Sequence, residues 1–258
     1  MTNYAYLLDM GRCIGCEACV AACKTGNELP AGVQYIHFDE KTTGTFPDIA
    51  STVINQRCMH CGDAACVTVC PTGALYKEDG LTRLNREACS GCSYCVDACP
   101  FHIPHIYEGF SSKCDGCAAV VKAGGEPWCV KTCPSDALRY GEREEILALA
   151  RERLTKLKER YANARIYGET EAGGLGVIMV LPDEPGAFNL PADPDAPLVI
   201  NAWQKVVQPM SAAVTGLSIA VTGVAAIIAR RNHMQEIKHI HAVEAEQKAE
   251  KEEEETSA

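Results

Sequence analysis

The sequence predicts an α+β fold with a loop-rich first region, followed by an amphipathic helix, an extended arm and one C-terminal transmembrane helix. Three observations support this prediction. All sixteen cysteines lie in residues 1–140 among many glycines and prolines, apolar residues recur at helical spacing over Glu142–Arg160, and no residue of Val206–Ala229 is charged. We therefore expect a cysteine-rich domain over 1–140, the helix and arm over 141–204, the transmembrane helix over 205–231 and a charged tail over 232–258.

The middle region is the least informative part of the chain. The apolar positions of the predicted helix are Ile146, Leu147, Leu149, Leu154 and Leu157, which approximate one stripe among charged residues. Residues 161–204 carry many glycines and prolines, which indicates an extended arm with one short strand, Gly176–Leu181.

Composition limits the classes of function. The 258 residues carry a formal net charge of −10, which argues against nucleic acid as a partner. The first ten residues, MTNYAYLLDM, lack the features of a secretory signal and contain no twin-arginine pair, which taken alone indicates a cytoplasmic chain. Sixteen cysteines are far more than ordinary usage, and their common causes are disulfides, zinc and iron–sulfur clusters.

The cysteines form a fourfold internal repeat. Each set begins with C-x2-C and ends with C-x3-C, and the gap in the middle is two residues in the first and third sets, four in the second and eleven in the fourth. A proline follows the last cysteine of the second, third and fourth sets. The sets are Cys13, Cys16, Cys19 and Cys23; Cys58, Cys61, Cys66 and Cys70; Cys89, Cys92, Cys95 and Cys99; and Cys114, Cys117, Cys129 and Cys133.

This spacing is typical of two-cluster ferredoxins. Three cysteines curl around one cubane while the fourth reaches a neighbouring cluster, and the proline ends the short helix between them. We therefore predict four [4Fe–4S] clusters in two ferredoxin-like double-cluster modules. The alternatives fit less well, because zinc sites combine two C-x2-C pairs or cysteine with histidine, and C-x2-C repeats pair poorly as structural disulfides.

Complete cysteine ligation predicts electron transfer, with no catalytic centre in the chain itself. No iron keeps an open position for a substrate, unlike the metal of a catalytic site. An autonomous enzyme with a labile iron would lack a cysteine, and a metal-storage protein would not need this order of motifs.

Several other residues lie beside the cysteines. Three lysines are candidates for stabilising reduced clusters, or else are ordinary solvated side chains: Lys24, Lys113 and Lys131. Three histidines are expected to pack or hydrogen-bond, because the cysteine positions are already complete: His60, His102 and His105. Two aromatic residues are expected to shield clusters: Tyr94 and Trp128.

The apolar segment Val206–Ala229 is long enough to span a bilayer. Its 24 residues would extend about 36 Å as a helix, whereas the alternative is a buried core helix. Small residues at Ala212, Gly216 and Ala220 indicate a partner helix in the membrane. The segment contains no histidine, so a membrane haem would have to belong to another subunit.

The charges that flank this segment predict its orientation. Asp193 and Asp195 precede it, and Arg230 and Arg231 follow it. By the positive-inside rule the C-terminus is cytoplasmic and the cluster domain lies on the outer, periplasmic face of the cytoplasmic membrane. Because the first residues show no signal, we expect export together with a signal-bearing partner.

The chain resembles the iron–sulfur (beta) subunit of membrane-bound formate dehydrogenase, of the formate dehydrogenase-N type, among the four-cluster subunits of molybdopterin oxidoreductases. Nitrate reductase beta subunits have tryptophan at one third-motif cysteine, where this chain has Cys92, and dimethyl sulfoxide reductase subunits lack a C-terminal membrane helix. The resemblance rests on Cys58-Met-His-Cys61, Glu126-Pro-Trp-Cys129-Val-Lys-Thr-Cys133-Pro, Leu147–Glu159, Gly173-Gly174 and Trp203–Met210.

The resemblance implies that the motifs exchange cysteines. In the order of the family, the implied ligands are Cys13, Cys16, Cys19 and Cys133 for cluster 1; Cys23, Cys114, Cys117 and Cys129 for cluster 2; Cys58, Cys61, Cys66 and Cys99 for cluster 3; and Cys70, Cys89, Cys92 and Cys95 for cluster 4.

The resemblance also implies partners. Clusters 1 and 2 would face a catalytic subunit with a molybdenum or tungsten molybdopterin cofactor and a twin-arginine signal. Clusters 3 and 4 would face a membrane cytochrome b that passes electrons to quinone. The alternative is the same role in a nickel–iron hydrogenase or in another respiratory molybdopterin oxidoreductase.

Overall fold

The computed structural model describes residues 3–194 and 208–257. The chain divides into two compact units, Met1–Ile200 and Asn201–Ala258. The end of the predicted arm and the first residues of the predicted transmembrane segment, 195–207, lie outside the described residues.

Short elements alternate along the first unit. In chain order the strands are β1 Tyr4–Asp9, β2 Ile36–Thr45, β3 Asp48–Arg57, β4 Leu75–Glu78, β5 Leu81–Leu84, β6 His105–Tyr107, β7 Phe110–Ser112, β8 Leu138–Glu142, β9 Arg165–Tyr167 and β10 Val177–Leu181. The helices are α1 Ala18–Gly26, α2 Ala65–Thr68, α3 Tyr94–Asp97, α4 Ala118–Lys122, α5 Trp128–Lys131 and α6 Arg143–Lys158, and two 3-10 turns cover Glu171–Gly173 and Pro185–Phe188.

A four-stranded mixed sheet in the order β8-β1-β10-β9 organises this unit. β1 is parallel to β10 and antiparallel to β8, and β9 is antiparallel to β10. The inner strands β1 and β10 are almost wholly buried, because alternate residues face two different cores. Burial on both faces explains why their sequences, YAYLLD and VIMVL, are nearly continuous apolar runs.

Helix α6 covers one face of this sheet. Ile146, Leu147, Ala150 and Leu157 are buried and pack in one core with Ala5, Leu7, Ile178 and Val180. Glutamates in the first turn and lysines in the last turn suit the helix dipole. Leu149, which was expected in the apolar stripe, is 46% exposed, because it lies about a third of a turn away from the centre of the buried stripe.

The prediction of an extended arm is wrong for residues 161–194. The predicted strand is present as β10, but it is an inner strand of the sheet, paired with both β1 and β9. Phe188 is buried in the core on the other face. An apolar run such as Val177–Leu181 is stable only when both of its faces are removed from water. Its position beside β1, between the two apolar cores of the sheet, provides this burial. The predicted boundary at residue 140 therefore falls inside β8, within one compact unit.

Three antiparallel hairpins, β2–β3, β4–β5 and β6–β7, connect the cysteine motifs. Four short helices carry cysteines: α1, α2, α3 and α5. Helices of four residues are not stable alone, so tertiary contacts must hold them in place.

The C-terminal unit is one helix, α7, over Gln208–Ser257. Among the described residues, one stretch is long and apolar enough to cross a membrane, namely the 23 residues Ala213–Gln235, which contain an 18-residue window with a mean hydropathy of 1.7. The helix continues without a break into the charged tail.

Candidate functional site

The same left-handed turn occurs in the first C-x2-C of every motif. The residue before the second cysteine has a positive φ in each case: 66° at Gly15, 50° at His60, 69° at Gly91 and 73° at Gly116. Glycine adopts this conformation freely, whereas a residue with a side chain must be held there by its surroundings. His60 is held by burial and by its ring Nδ1, which accepts a hydrogen bond from the Thr82 backbone N–H at 3.1 Å.

The sheet brings the first and fourth motifs together. β1 and β8 are antiparallel with Leu8 opposite Leu138, so the chain that leaves β1 and the chain that enters β8 lie at the same end of this strand pair. Cys13 follows β1 and Cys133 precedes β8. The cysteines implied for cluster 1, namely Cys13, Cys16, Cys19 and Cys133, line one cavity of about 310 Å³.

The β4–β5 hairpin does the same for the second and third motifs. Leu75 pairs with Leu84, so Cys70, before β4, and Cys89, after β5, lie at the same end of the hairpin. A further cavity of about 310 Å³ is lined by the cysteines implied for cluster 4, namely Cys70, Cys89, Cys92 and Cys95.

The cysteines implied for cluster 2 are more deeply placed. They line a cavity of about 350 Å³ together with Tyr6, Arg57 and Cys58. The cysteines in its wall are Cys23, Cys114, Cys117 and Cys129. Because Cys58 belongs to the second motif, this cavity adjoins the cysteines implied for cluster 3.

The thiols implied for cluster 3 act on one another electrostatically. Burial raises the pKa of the Cys61 thiol well above its ordinary value, and Cys58, Cys66 and Cys99 raise it further. Burial likewise raises the pKa of Cys66 to about 12, with contributions from Cys58, Cys99 and Cys95. Cys95 is a cluster 4 cysteine, so the third and fourth groups are neighbours.

These contacts place the four groups in a row. Arg57 contacts Cys19 of the first group and Cys129 of the second. Cys58 of the third group lies in the wall of the second cavity, and Cys66 of the third lies near Cys95 of the fourth. The order along the row is therefore the order in which the clusters were numbered.

The donors around the thiols fit iron–sulfur clusters. Backbone N–H groups of Gly116 and Ser111 donate to the Sγ atoms of Cys114 and Cys89 at 3.3 and 3.4 Å, and the Asn27 amide donates to Cys23 at 3.4 Å. Hydrogen bonds to sulfur are a general means of stabilising ligated thiolates. All sixteen cysteines are free thiols, so every one of them is available as a ligand.

The three candidate lysines differ. Lys113 is buried, and its Nζ lies 3.9 Å from the Cys58 Sγ. Lys24 instead donates to the carbonyls of Pro30 and Val33, and the exposed Lys131 lies with its Nζ 6.0 Å from the centre of the Trp128 ring. Of the three, only Lys113 has the position expected of a group that stabilises a reduced cluster.

Sequence reasoning missed Arg57. It is buried, and its Nη1 and Nη2 each lie 3.8 Å from a cysteine Sγ. Burial lowers the pKa of Arg57, but Cys129 and Cys19 raise it, and the resulting pKa lies above the ordinary value. The available signal was its position directly before the first cysteine of a motif, which Lys113 shares.

The histidine and aromatic predictions have mixed outcomes. His60 packs and accepts a hydrogen bond, as expected, and burial lowers its pKa well below the ordinary value, so the ring is neutral. Trp128 is partly buried and lies close to Gly26 of α1. Tyr94 does not shield a cluster as part of the core, because it is 59% exposed at the start of α3.

Comparison with known proteins agrees with this site. Two family models, each described as a 4Fe-4S dicluster domain, match residues 12–74 and 49–143. The formate dehydrogenase iron-sulfur subunit of Haemophilus influenzae is 34% identical over 242 residues, 84% of this chain and 78% of that subunit. The nitrate-inducible formate dehydrogenase iron-sulfur subunit of Escherichia coli is 34% identical over 235 residues, 81% of this chain and 79% of that subunit.

A relative from another complex matches a shorter part. The thiosulfate reductase electron transfer subunit PhsB of Salmonella typhi is 41% identical over 156 residues, 56% of this chain and 79% of that subunit. Fold, cysteines and family models together define an iron–sulfur electron-transfer protein with two double-cluster domains, and its sixteen cysteines fit four [4Fe–4S] clusters. Within that class, the chain belongs to the formate dehydrogenase iron–sulfur subunits, which confirms the family resemblance.

Gly91→Ala tests the left-handed turn of the third motif. A Cβ at Gly91 would lie 2.1 Å from the Gly109 carbonyl oxygen, so we expect a lower melting temperature and the loss of iron from one cluster. Gly73→Ala is the matched control, because Gly73 has a similar φ of 67° and no atom within 4 Å of the added Cβ. It should cost only about 1 kcal/mol of strain. Equal iron content and equal melting temperature in the two variants would contradict this account of the turn.

Proposed function

We propose that this chain carries electrons from a molybdenum or tungsten formate dehydrogenase subunit to a membrane cytochrome b and quinone. The observation that carries the proposal is the extent of the similarity. Identity of 34% continues over 81–84% of the chain, well beyond the cysteine motifs, in relatives that are formate dehydrogenase subunits. The candidate membrane span, Ala213–Gln235, supplies a means of attachment beside a membrane partner.

A second candidate is the same role in another respiratory reductase. The similarity to the thiosulfate reductase subunit is higher, 41%, but covers only 56% of this chain. The shared part is long enough to contain the cluster domain, so it supports the wiring role without distinguishing the substrate. A nickel–iron hydrogenase complex stays a further alternative for the partner.

The residues of the chain hold the cofactors and determine where electrons enter and leave. When bound, the four clusters supply one-electron redox chemistry. We propose the crossed ligand sets named above, with Cys133 completing cluster 1 and Cys99 completing cluster 3, which the lining of the cavities and the mutual effects of the thiols support. Burial of the middle groups keeps water away from them.

The ends of the row differ from its middle. Cys16 and Cys92 are the two exposed cysteines among the sixteen, and they belong to the first and last groups. A partner that covers either thiol would approach a terminal cluster closely. We propose that the catalytic subunit covers the Cys16 side and that the cytochrome b covers the Cys92 side.

Serine substitutions test the crossed ligation. Cys129 and Cys133 belong to the same motif but are proposed to serve clusters 2 and 1. We expect Cys133→Ser to change the same electron paramagnetic resonance signal as Cys16→Ser, because both remove a thiolate from cluster 1. Cys129→Ser should change a different signal, the one that Cys117→Ser changes.

A pair of cysteines from one motif is the control for this experiment. Cys89→Ser and Cys92→Ser are proposed to affect one and the same cluster, cluster 4. If Cys129→Ser and Cys133→Ser instead changed one signal in common, each motif would hold its own cluster and the crossed sets would be wrong.

We also propose a periplasmic location for the cluster domain and a cytoplasmic location for the C-terminus. Arg230 and Arg231 follow the most apolar part of the span, and basic residues favour the cytoplasmic side.

Protease protection tests this orientation. In right-side-out membrane vesicles, added protease should degrade the cluster domain and leave an epitope at Ala258 intact, and inverted vesicles should show the reverse. A lysed sample controls for intrinsic resistance. A cluster domain that is protected in right-side-out vesicles would place it in the cytoplasm and contradict the proposal.

The identity of the partners tests the function directly. The chain should copurify from detergent-solubilised membranes with a molybdopterin subunit and a cytochrome b, and that complex should reduce a dye when formate is added. Mass spectrometry identifies the subunits. If hydrogenase or thiosulfate reductase subunits copurify instead and formate does not reduce the dye, the electron-transfer role through four clusters would stand. Formate would then be wrong as the substrate of the complex.

A further inference from the structure

Two buried cations lie between neighbouring groups of cysteines. Arg57 is 5% exposed, and its guanidinium reaches Cys19 of the first group and Cys129 of the second, each at 3.8 Å. Lys113 is 1% exposed, and its Nζ lies 3.9 Å from Cys58 of the third group. The next residue after Lys113 is Cys114 of the second group.

Neither cation has a carboxylate partner among the residues that the structure describes, where ion pairs are counted to 4.0 Å. The buried Arg83 shows the contrast, because it lies 3.4 Å from Glu78. An unpaired buried charge is costly, so Arg57 and Lys113 need another source of negative charge. The thiolates and the clusters that they hold are the anions within reach.

Neutral groups fix both side chains in these positions. The Arg57 Nε donates to the Oδ1 of Asn55 at 3.0 Å, and Asn55 is itself buried on the same strand. The Lys113 Nζ donates to the carbonyls of Thr82 and Cys114 at 2.8 and 2.6 Å. These bonds orient each cation without neutralising its charge.

The cations are unevenly distributed along the row. No lysine or arginine within residues 3–194 has a hydrogen bond to a cysteine implied for cluster 4. That group has neutral partners, since the Ser111 Oγ lies 3.4 Å from the Cys95 Sγ and the Thr72 hydroxyl lies 3.6 Å from the Cys70 Sγ. The two buried cations therefore contact the first three groups, and neither has a hydrogen bond to the fourth.

We propose that Arg57 and Lys113 are positioning residues for electron transfer, which raise the reduction potentials of clusters 1, 2 and 3 and screen the repulsion between neighbouring reduced clusters. The inference rests on the ligand sets proposed above. Each reduction adds one negative charge to a cluster, and a nearby buried cation stabilises that charge more than it would in water. Because Arg57 contacts the first and second groups at once, it also lowers the electrostatic free-energy cost of having clusters 1 and 2 reduced at the same time.

Redox titration of the complete complex tests this inference, with electron paramagnetic resonance as the readout. Arg57→Gln should lower the midpoint potentials of clusters 1 and 2, and Lys113→Gln those of clusters 2 and 3, because each removes one fixed positive charge. The potential of cluster 4 should move least in both. Arg57→Lys and Lys113→Arg keep the charge and should restore the potentials towards the original values.

Lys131→Gln is the matched control. Lys131 lies between two ligand cysteines in sequence, but its side chain is exposed, so water screens its charge and the potentials should not change. Iron content and the number of distinct signals are measured for every variant. They report on the ligand sets independently of the potentials.

The possible outcomes distinguish the inferred role of the two positive charges from the proposed ligand sets. Full iron with unchanged potentials in Arg57→Gln and Lys113→Gln would overturn the inference and leave the ligand sets intact. If a glutamine variant loses iron, the charge-retaining variant at that position decides. Full iron with near-original potentials there supports the role of charge, whereas loss of iron in that variant too shows that shape, not charge, is required, and overturns the inference.

Discussion

Cysteines from separate motifs must meet in space if this protein is to hold its clusters, and the sheet, the hairpins and the short helices all serve that requirement. The helices that carry many of these thiols are four to nine residues long, and the loops between them hold glycines at positive φ. Such segments bury little apolar surface and would not keep their shape alone. Bonds from cysteine to iron would therefore add to the two apolar cores in holding these segments, and folding and cluster binding are expected to be coupled.

The sheet and the hairpins make that convergence possible. Antiparallel pairing of β1 with β8 brings the two ends of the cluster region together, so that Cys133 meets the first motif. The β4–β5 hairpin brings Cys70 to the third motif in the same way. Helix α6 covers one face of this sheet and β10 pairs with β1, so the region after the last cysteine supports the sheet that brings the first and fourth motifs together.

Two buried positive charges lie beside the cysteine groups, at Arg57 and Lys113. Other polar groups that donate to the thiols are neutral, such as the buried Ser111 and the partly buried Asn27. Arg57 and Lys113 differ because they bring full positive charge to the gaps between groups. The net charge of the chain is −10, so the charges of Arg57 and Lys113, beside the cysteines, are opposite in sign to the net charge of the chain.

The amino-acid sequence alone was sufficient to predict the chemistry of this protein. Cysteine spacing is a local property, so four motifs that each begin with C-x2-C and end with C-x3-C were enough to predict four [4Fe–4S] clusters and electron transfer. Uncharged length was likewise enough to predict a membrane helix, and the family followed from motifs that the comparisons later matched. The predicted location of Tyr94 in the core failed, because exposure of a single side chain depends on its neighbours in space.

How distant segments meet could be seen only in the folded chain. Spacing indicates that a fourth cysteine leaves its motif, but strand pairing over more than a hundred residues brings Cys13 and Cys133 to one cavity. The same holds for β10, whose glycine- and proline-rich surroundings resemble an arm until β1 is seen beside it. Arg57 precedes a cysteine of one pair of clusters and contacts two cysteines of the other pair, because side-chain direction and strand register, which local spacing does not encode, place it there.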